Sequence, residues 1–94
     1  MTLMSFLPEL KNFLRGSGCI YTVRKYKMIE KDVEVDGIGT CHRTPLGGVS
    51  SLEDLEDYYQ MSGFATAKDW WEKIRYFIPP GSPMYLYRVE KNED

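Results

Sequence analysis

The chain of 94 residues has two cysteines and one histidine, and that shortage excludes several chemistries at once. Cys19 and Cys41 are too few and too far apart for a structural zinc site, and His42 alone cannot complete one, so no metal and no cofactor are expected. The cysteine density asks for no disulfide; one between Cys19 and Cys41 would require neighbouring strands, and two reduced thiols are the expectation. No apolar run approaches the length of a membrane span, and Met1–Leu14 carries Pro8, Glu9 and Lys11 inside its hydrophobic stretch, unlike a signal peptide. A soluble, cytoplasmic protein with no membrane partner is expected. Charge of one sign is lacking too. The formal net charge is -2, which does not advertise a nucleic-acid binder, and no repeat, linker or low-complexity segment divides residues 1–94, which read as a single domain.

Hydrophobic residues make up 43% of the chain and aromatic residues 14%, which is ample for a globular fold. A chain this short buries only about 60–65% of its extended surface, leaving little core for a deep active site. The richest segment is Gly18-Cys19-Ile20-Tyr21-Thr22-Val23-Arg24-Lys25-Tyr26-Lys27. Its β-branched and aromatic residues follow a Gly-Ser-Gly turn and predict a strand starting near Cys19. Alternation places Ile20, Thr22, Arg24 and Tyr26 on one face and Tyr21, Val23, Lys25 and Lys27 on the other. Such a strand fits a half-exposed edge whose lysines discourage pairing. It equally fits an anion surface, with Arg24, Lys25 and Lys27 attracting phosphates and Tyr21 or Tyr26 stacking on a base. Residues 1–48 hold seven Lys/Arg against five Asp/Glu, and residues 49–94 five against nine, so the first half is the anion-facing half.

Around this strand the pattern predicts a helix over Leu3, Phe6, Leu7, Leu10, Phe13 and Leu14, with Ser5 as N-cap, Pro8 in its first turn and Gly16 past its end. Val33–Val35 and Ile38–Arg43 read as extended chain running through Gly37 and Gly39, a bulged or sharply bent strand. Ser50 or Ser51 with Glu53 and Asp54 opens a second helix carrying Leu52, Leu55, Tyr58 and Tyr59. Thr66 and Asp69 open a third, whose apolar side holds Trp70, Trp71, Ile74, Phe77 and Ile78 before Pro79-Pro80 stop it. Met84–Val89 closes the chain as a strand. The order predicts an α+β fold: a small, strongly curved antiparallel sheet with three flanking helices.

These elements, taken together, resemble one family. The Gly-containing loop before Tyr21-Thr22-Val23-Arg24, the later Gly37-Ile38-Gly39-Thr40-Cys41 with Pro45-Leu46, the Ser62-Gly63-Phe64 turn, Lys68-Asp69-Trp70-Trp71 and the final Met84–Val89 strand are similar in order and spacing to ASCH-type domains of the PUA-like superfamily. The resemblance spans residues 9–90 and rests on order rather than on any single motif. It implies a small β-barrel with a cleft beside the first strand, generally proposed to bind RNA, and in some members hydrolysis of modified nucleosides. Thr22 and Arg24 match the cleft-facing pair of the family's strand motif. The hydrolase members carry a lysine three positions before that threonine, where this chain has Cys19, and the second barrel strand is shortened around Asp32–Val35.

No catalytic residue is assigned. Cys41 and His42 are adjacent on a strand and point to opposite faces, so they cannot act as nucleophile and base. A constellation of Thr22, Arg24 and a helix acid, Glu53 or Asp54, would suit hydrolysis if that helix start faced the cleft; the competing reading pairs Arg24 with one of those acids. The expected function is binding of RNA or a nucleotide in a cleft lined by Thr22, Arg24 and Lys25, with Lys27, His42 and Arg43 as a basic rim and Tyr21 or Tyr26 for stacking. The alternatives are amide hydrolysis of an acylated nucleoside, and a protein-interaction module using the acidic helix. A homodimer through an exposed tryptophan or through residues 85–87 stays open.

Overall fold

A computed structural model describes residues 2–92. It is an α+β fold with five strands, β1 (Leu3–Met4), β2 (Cys19–Arg24), β3 (Lys31–Val35), β4 (Gly39–Gly48) and β5 (Tyr85–Lys91), and two α-helices, α1 (Pro8–Ser17) and α2 (Ala67–Phe77). The sheet order is β1-β3-β4-β5-β2, so β2 and β1 are its two edges. All pairs are antiparallel except β1 with β3, which is parallel. The sheet is therefore mixed rather than wholly antiparallel, and it curls into a half-barrel that does not close.

Four local expectations are corrected. Leu3 and Met4 form β1 instead of opening a helix, and α1 starts at Pro8, whose fixed φ and missing N–H suit a first helical position. Ser5 is not its cap; Leu7 stands at that position, without a side-chain hydrogen bond. Gly37 and Gly39, at φ of 81° and 112°, turn the chain between β3 and β4, so the supposed bent strand is a hairpin whose register runs Val35↔Gly39 to Lys31↔Arg43. Only two α-helices flank the sheet. The acidic segment makes two short 3-10 turns, Leu52–Leu55 and Tyr59–Met61, opened by the Asp54 carboxylate accepting the Ser50 and Ser51 N–H groups at 2.7 and 3.2 Å. By contrast α2 begins as expected, with the Thr66 hydroxyl accepting the Asp69 N–H at 3.0 Å.

Strand alternation divides the core in two. Ile20, Val89, Cys41, Val33 and Val35 point to the inside of the curl and pack with Met4 of β1 and Leu14 of α1. Val23 and Leu86 point to the other face, where Val49, Leu55, Trp70, Ile74 and Ile78 cover them. Both faces of β2 are thus occupied, by α1 on one side and by α2 and the 3-10 turns on the other. The free cysteines lie on different faces of strands separated by β5, which rules out the disulfide between them. Among the described residues no helix is long and apolar enough to cross a membrane.

Candidate functional site

At the end of β2 the two helices diverge and leave a cleft of about 540 Å³, within the range typical of small-molecule sites. Phe6, Leu7 and Leu10 wall it from the α1 side, and Trp70, Ile74, Phe77 and Ile78 from α2. The i, i+4 and i+7 spacing of Trp70, Ile74 and Phe77 lays three side chains along one helix face. The consecutive residues Thr22, Val23, Arg24 and Lys25 of the strand end form its floor and lip. Its charged lining residues are Arg24, Lys25 and Lys73, with no carboxylate among them.

Arg24 is the organising cation. Its Nε donates to the Thr22 hydroxyl at 3.2 Å, Nη2 donates to the Ser5 carbonyl at 2.7 Å, and its guanidinium lies 4.9 Å from the Phe6 ring centre. Among the described residues it pairs with no acid. Burial pushes its pKa down, and the like charge of Arg43 adds to the effect. The guanidinium stays protonated all the same, so a positive charge that has lost water and has no counterion among the described residues faces the cleft. Its Nη1 donates to no group among the described residues. Lys25 stands 5.2 Å over the Tyr26 ring, and Lys73 5.7 Å over Phe77, giving the mouth an aromatic and cationic character.

The loop carrying this mouth is fixed from below. The fully buried Tyr87 hydroxyl donates to the Tyr26 carbonyl at 2.8 Å and accepts the Met28 N–H at 2.6 Å. Arg43, 4% exposed, donates from Nε and Nη2 to the Ile29 carbonyl at 3.2 and 3.0 Å, and from Nη1 to the Met28 sulfur at 3.3 Å.

Of the residues expected at the site, Thr22, Arg24, Lys25 and Tyr26 line the cleft. The others do not. Arg43 is spent on the loop just described rather than on a rim. Tyr21 faces away and packs edge-on against Tyr58, with ring centres 5.1 Å apart. Lys27 is exposed outside the cleft. His42 lies on the outer face of β4, where Nδ1 and Nε2 meet Asp32 at 2.8 Å and Glu30 at 2.7 Å. Those two carboxylates hold its pKa above the usual histidine value, Asp32 contributing most, and make its surroundings acidic rather than basic. Neither Glu53 nor Asp54 reaches the cleft, and Asp54 caps the 3-10 turn, so the acid required for hydrolysis is not brought to Arg24. Tyr87 is buried and Trp71 half-buried beneath Arg75, so these two proposed dimer contacts are engaged within the chain.

Lys73, Phe64 and the segment Ser5–Pro8 were not legible as site residues. Lys73 carried a signal in its position, four residues before Phe77 and three after Trp70, on the helix face that looks at the strand end. Among the described residues no cluster of three metal-binding side chains occurs. Compared with protein-family models, with curated proteins and with solved structures, the chain matches none.

Proposed function

We propose that the cleft at the end of β2 binds a nucleotide, or an unpaired nucleotide of an RNA, as an ASCH-type, PUA-like domain would. The observation that carries this reading is the lining itself: Arg24, Lys25 and Lys73 around an apolar and aromatic space, with no acid among the lining residues. Phosphate oxygens suit the three cations, and the Nη1 of Arg24 offers a charged donor with no competing partner among the described residues. A flat base suits walls made of Phe6, Trp70, Phe77 and Tyr26, since stacking on aromatic rings contributes about 1–3 kcal/mol per base. The size of the cleft favours one nucleotide over a tracked strand. The two unpaired thiols suit a reducing cytoplasmic setting.

Fluorescence anisotropy of a labelled single-stranded RNA pentamer, titrated with protein between about 50 and 200 mM salt, tests this reading. Affinity falls as salt rises, and Lys25→Ala and Lys73→Ala each flatten the logarithmic slope by about 0.7, the value for one phosphate contact on a single strand. Binding that is absent, or indifferent to salt and to both substitutions, refutes the proposal.

A further inference from the structure

Strand β2 carries a second recognition element, in its main chain. It is an edge strand, bonded on one side only, to β5. In a regular antiparallel pair the residues alternate between those that bond across to the partner and those whose N–H and C=O both point away from it. The parity here is fixed by the Lys91 N–H, which donates to the Gly18 carbonyl at 2.9 Å. The register Cys19↔Glu90 to Arg24↔Tyr85 then runs without a shift, so Ile20, Thr22 and Arg24 bond to β5. Cys19, Tyr21 and Val23 turn their N–H and C=O to the open edge. Cys19 corroborates this, because both its groups engage the Ser17 hydroxyl, its carbonyl accepting at 2.7 Å and its N–H donating at 3.5 Å. No such neighbour answers Val23: its N–H and C=O meet no partner among the described residues, and Val23 lines the cleft between Thr22 and Arg24.

We infer that the Val23 main chain reads the hydrogen-bonding edge of a nucleobase, so the ligand of this cleft is a nucleotide whose base presents an unsubstituted donor and acceptor side by side. This rests on the nucleotide reading given above and narrows it. One extended residue offers a donor and an acceptor pointing the same way. Every nucleobase carries the complementary pair on its Watson–Crick edge, and adenine on the Hoogsteen edge as well. In a cleft walled by apolar side chains, a base that leaves Val23 unpaired forfeits the bond and strands the desolvated main-chain group. The neighbouring Arg24 supplies the charge for the phosphate from the same strand end, so both contacts are set by one element. Plain anions, and flat apolar acids without such an edge, satisfy only half of the site.

Tryptophan fluorescence titrations of the unmodified protein decide the matter, with Trp70 in the cleft wall as reporter. The probes are the four ribonucleoside 5′-monophosphates, ribose 5-phosphate, and an analogue of the tightest binder that lacks a donor on that edge: purine for adenine or guanine, 2-pyrimidinone for either pyrimidine. The stripped analogue is expected to bind about tenfold more weakly than its parent, and ribose 5-phosphate weaker still. On the protein side, Val23→Pro removes the N–H at a position outside the ladder, where proline is tolerated on an edge strand. It should bring parent and analogue towards equal affinity, its circular dichroism confirming that the sheet remains. An analogue binding as tightly as its parent overturns the edge reading. Ribose 5-phosphate binding as tightly as the nucleotides overturns it while leaving the phosphate role of Arg24 intact. Failure of every probe, the RNA pentamer included, overturns both readings.

Discussion

Arg24 and Ser5 join the two edges of the sheet: the guanidinium at the end of β2 donates to the carbonyl that follows β1, at 2.7 Å, although β3, β4 and β5 separate those strands in the sheet. The half-barrel stays open, and one side chain bridges its two edges where no strand pairing does. The same side chain faces the cleft, so the bridge between the two edges and the proposed phosphate contact depend on one guanidinium.

Replacing Arg24 should therefore loosen β1 as well as weaken binding. Arg24→Ala is expected to cost about 1–2 kcal/mol, the low end for bonds from a charged donor because Ser5 is exposed. The midpoint of urea unfolding measures it. The Glu34 N–H, which donates to the Thr2 carbonyl at 2.8 Å beside β1, should lose hydrogen-exchange protection, while the amide of Val89 in the sheet centre keeps it. Arg24→Lys retains the charge without the fork and cannot reach Thr22 and Ser5 together, so it should restore salt-dependent binding but not the Glu34 protection.

Tyr87 governs the other wall. Its hydroxyl satisfies both the Tyr26 carbonyl and the Met28 N–H, and Tyr87→Phe leaves both without that partner. A destabilisation of about 1–3 kcal/mol follows from the unmade bonds. The loop bearing Lys25 and Tyr26 loses its fixed position, so nucleotide affinity should fall in a variant whose circular dichroism is unchanged. Equal affinity would mean that the loop is ordered by Arg43 alone.

His42 predicts the pH dependence of stability. Its folded-state pKa lies above the ordinary 6.5 because Asp32 and Glu30 accept hydrogen bonds from the protonated ring. A raised pKa means that the folded state holds the proton more tightly, so the contribution is complete below pH 6.5 and is lost as pH rises through the folded-state value. Urea midpoints should decline as pH rises from 6.5 through the folded-state value, and His42→Gln should remove the decline while leaving RNA binding unchanged, since the imidazole lies outside the cleft. An NMR titration of the single histidine gives the folded-state value directly; a value at or below 6.5 contradicts the prediction.

Much of this was readable from residue pattern and some was not, for physical reasons. Strand alternation puts Thr22 and Arg24 on one face but does not say which face meets a cleft, and their assignment to it comes from the family resemblance. The start of α2 was legible because Thr66 and Asp69 are a local cap that needs no tertiary support. Arg43 and His42 were misplaced because composition shows charge but not what a side chain is bonded to, and only the fold brings Ile29 and Met28 over the Arg43 guanidinium and Asp32 and Glu30 to the His42 ring. The β3–β4 hairpin was mistaken for a bulge because glycines with positive φ serve both, and cross-strand partners decide between them. Leu3–Met4 has helical spacing with Leu7 and Leu10, yet pairing with Glu34 and Val35 outweighs that weak preference in so short a piece.

The turn at Gly63 tests how closely α1 is set against the cleft. Gly63 has φ of +88°, and a Cβ there would stand 2.7 Å from Leu10 Cδ2 and 3.7 Å from the Phe13 Cβ. Two costs follow from Gly63→Ala. The left-handed backbone costs an L-residue about 1–2 kcal/mol, and Leu10 must give way, which shifts one cleft wall while the attached Phe64 moves the other. Gly63→Asn separates them, because asparagine tolerates the left-handed region but carries the same Cβ. It should recover part of the stability lost in the alanine variant and none of the lost nucleotide affinity. Leu10→Ala removes the obstructing methyls, so the double variant Leu10→Ala/Gly63→Ala should be less destabilised than the two single changes added together, as contacting positions require. Additive costs would show that the close approach is relieved without strain and that backbone conformation alone demands glycine at this turn.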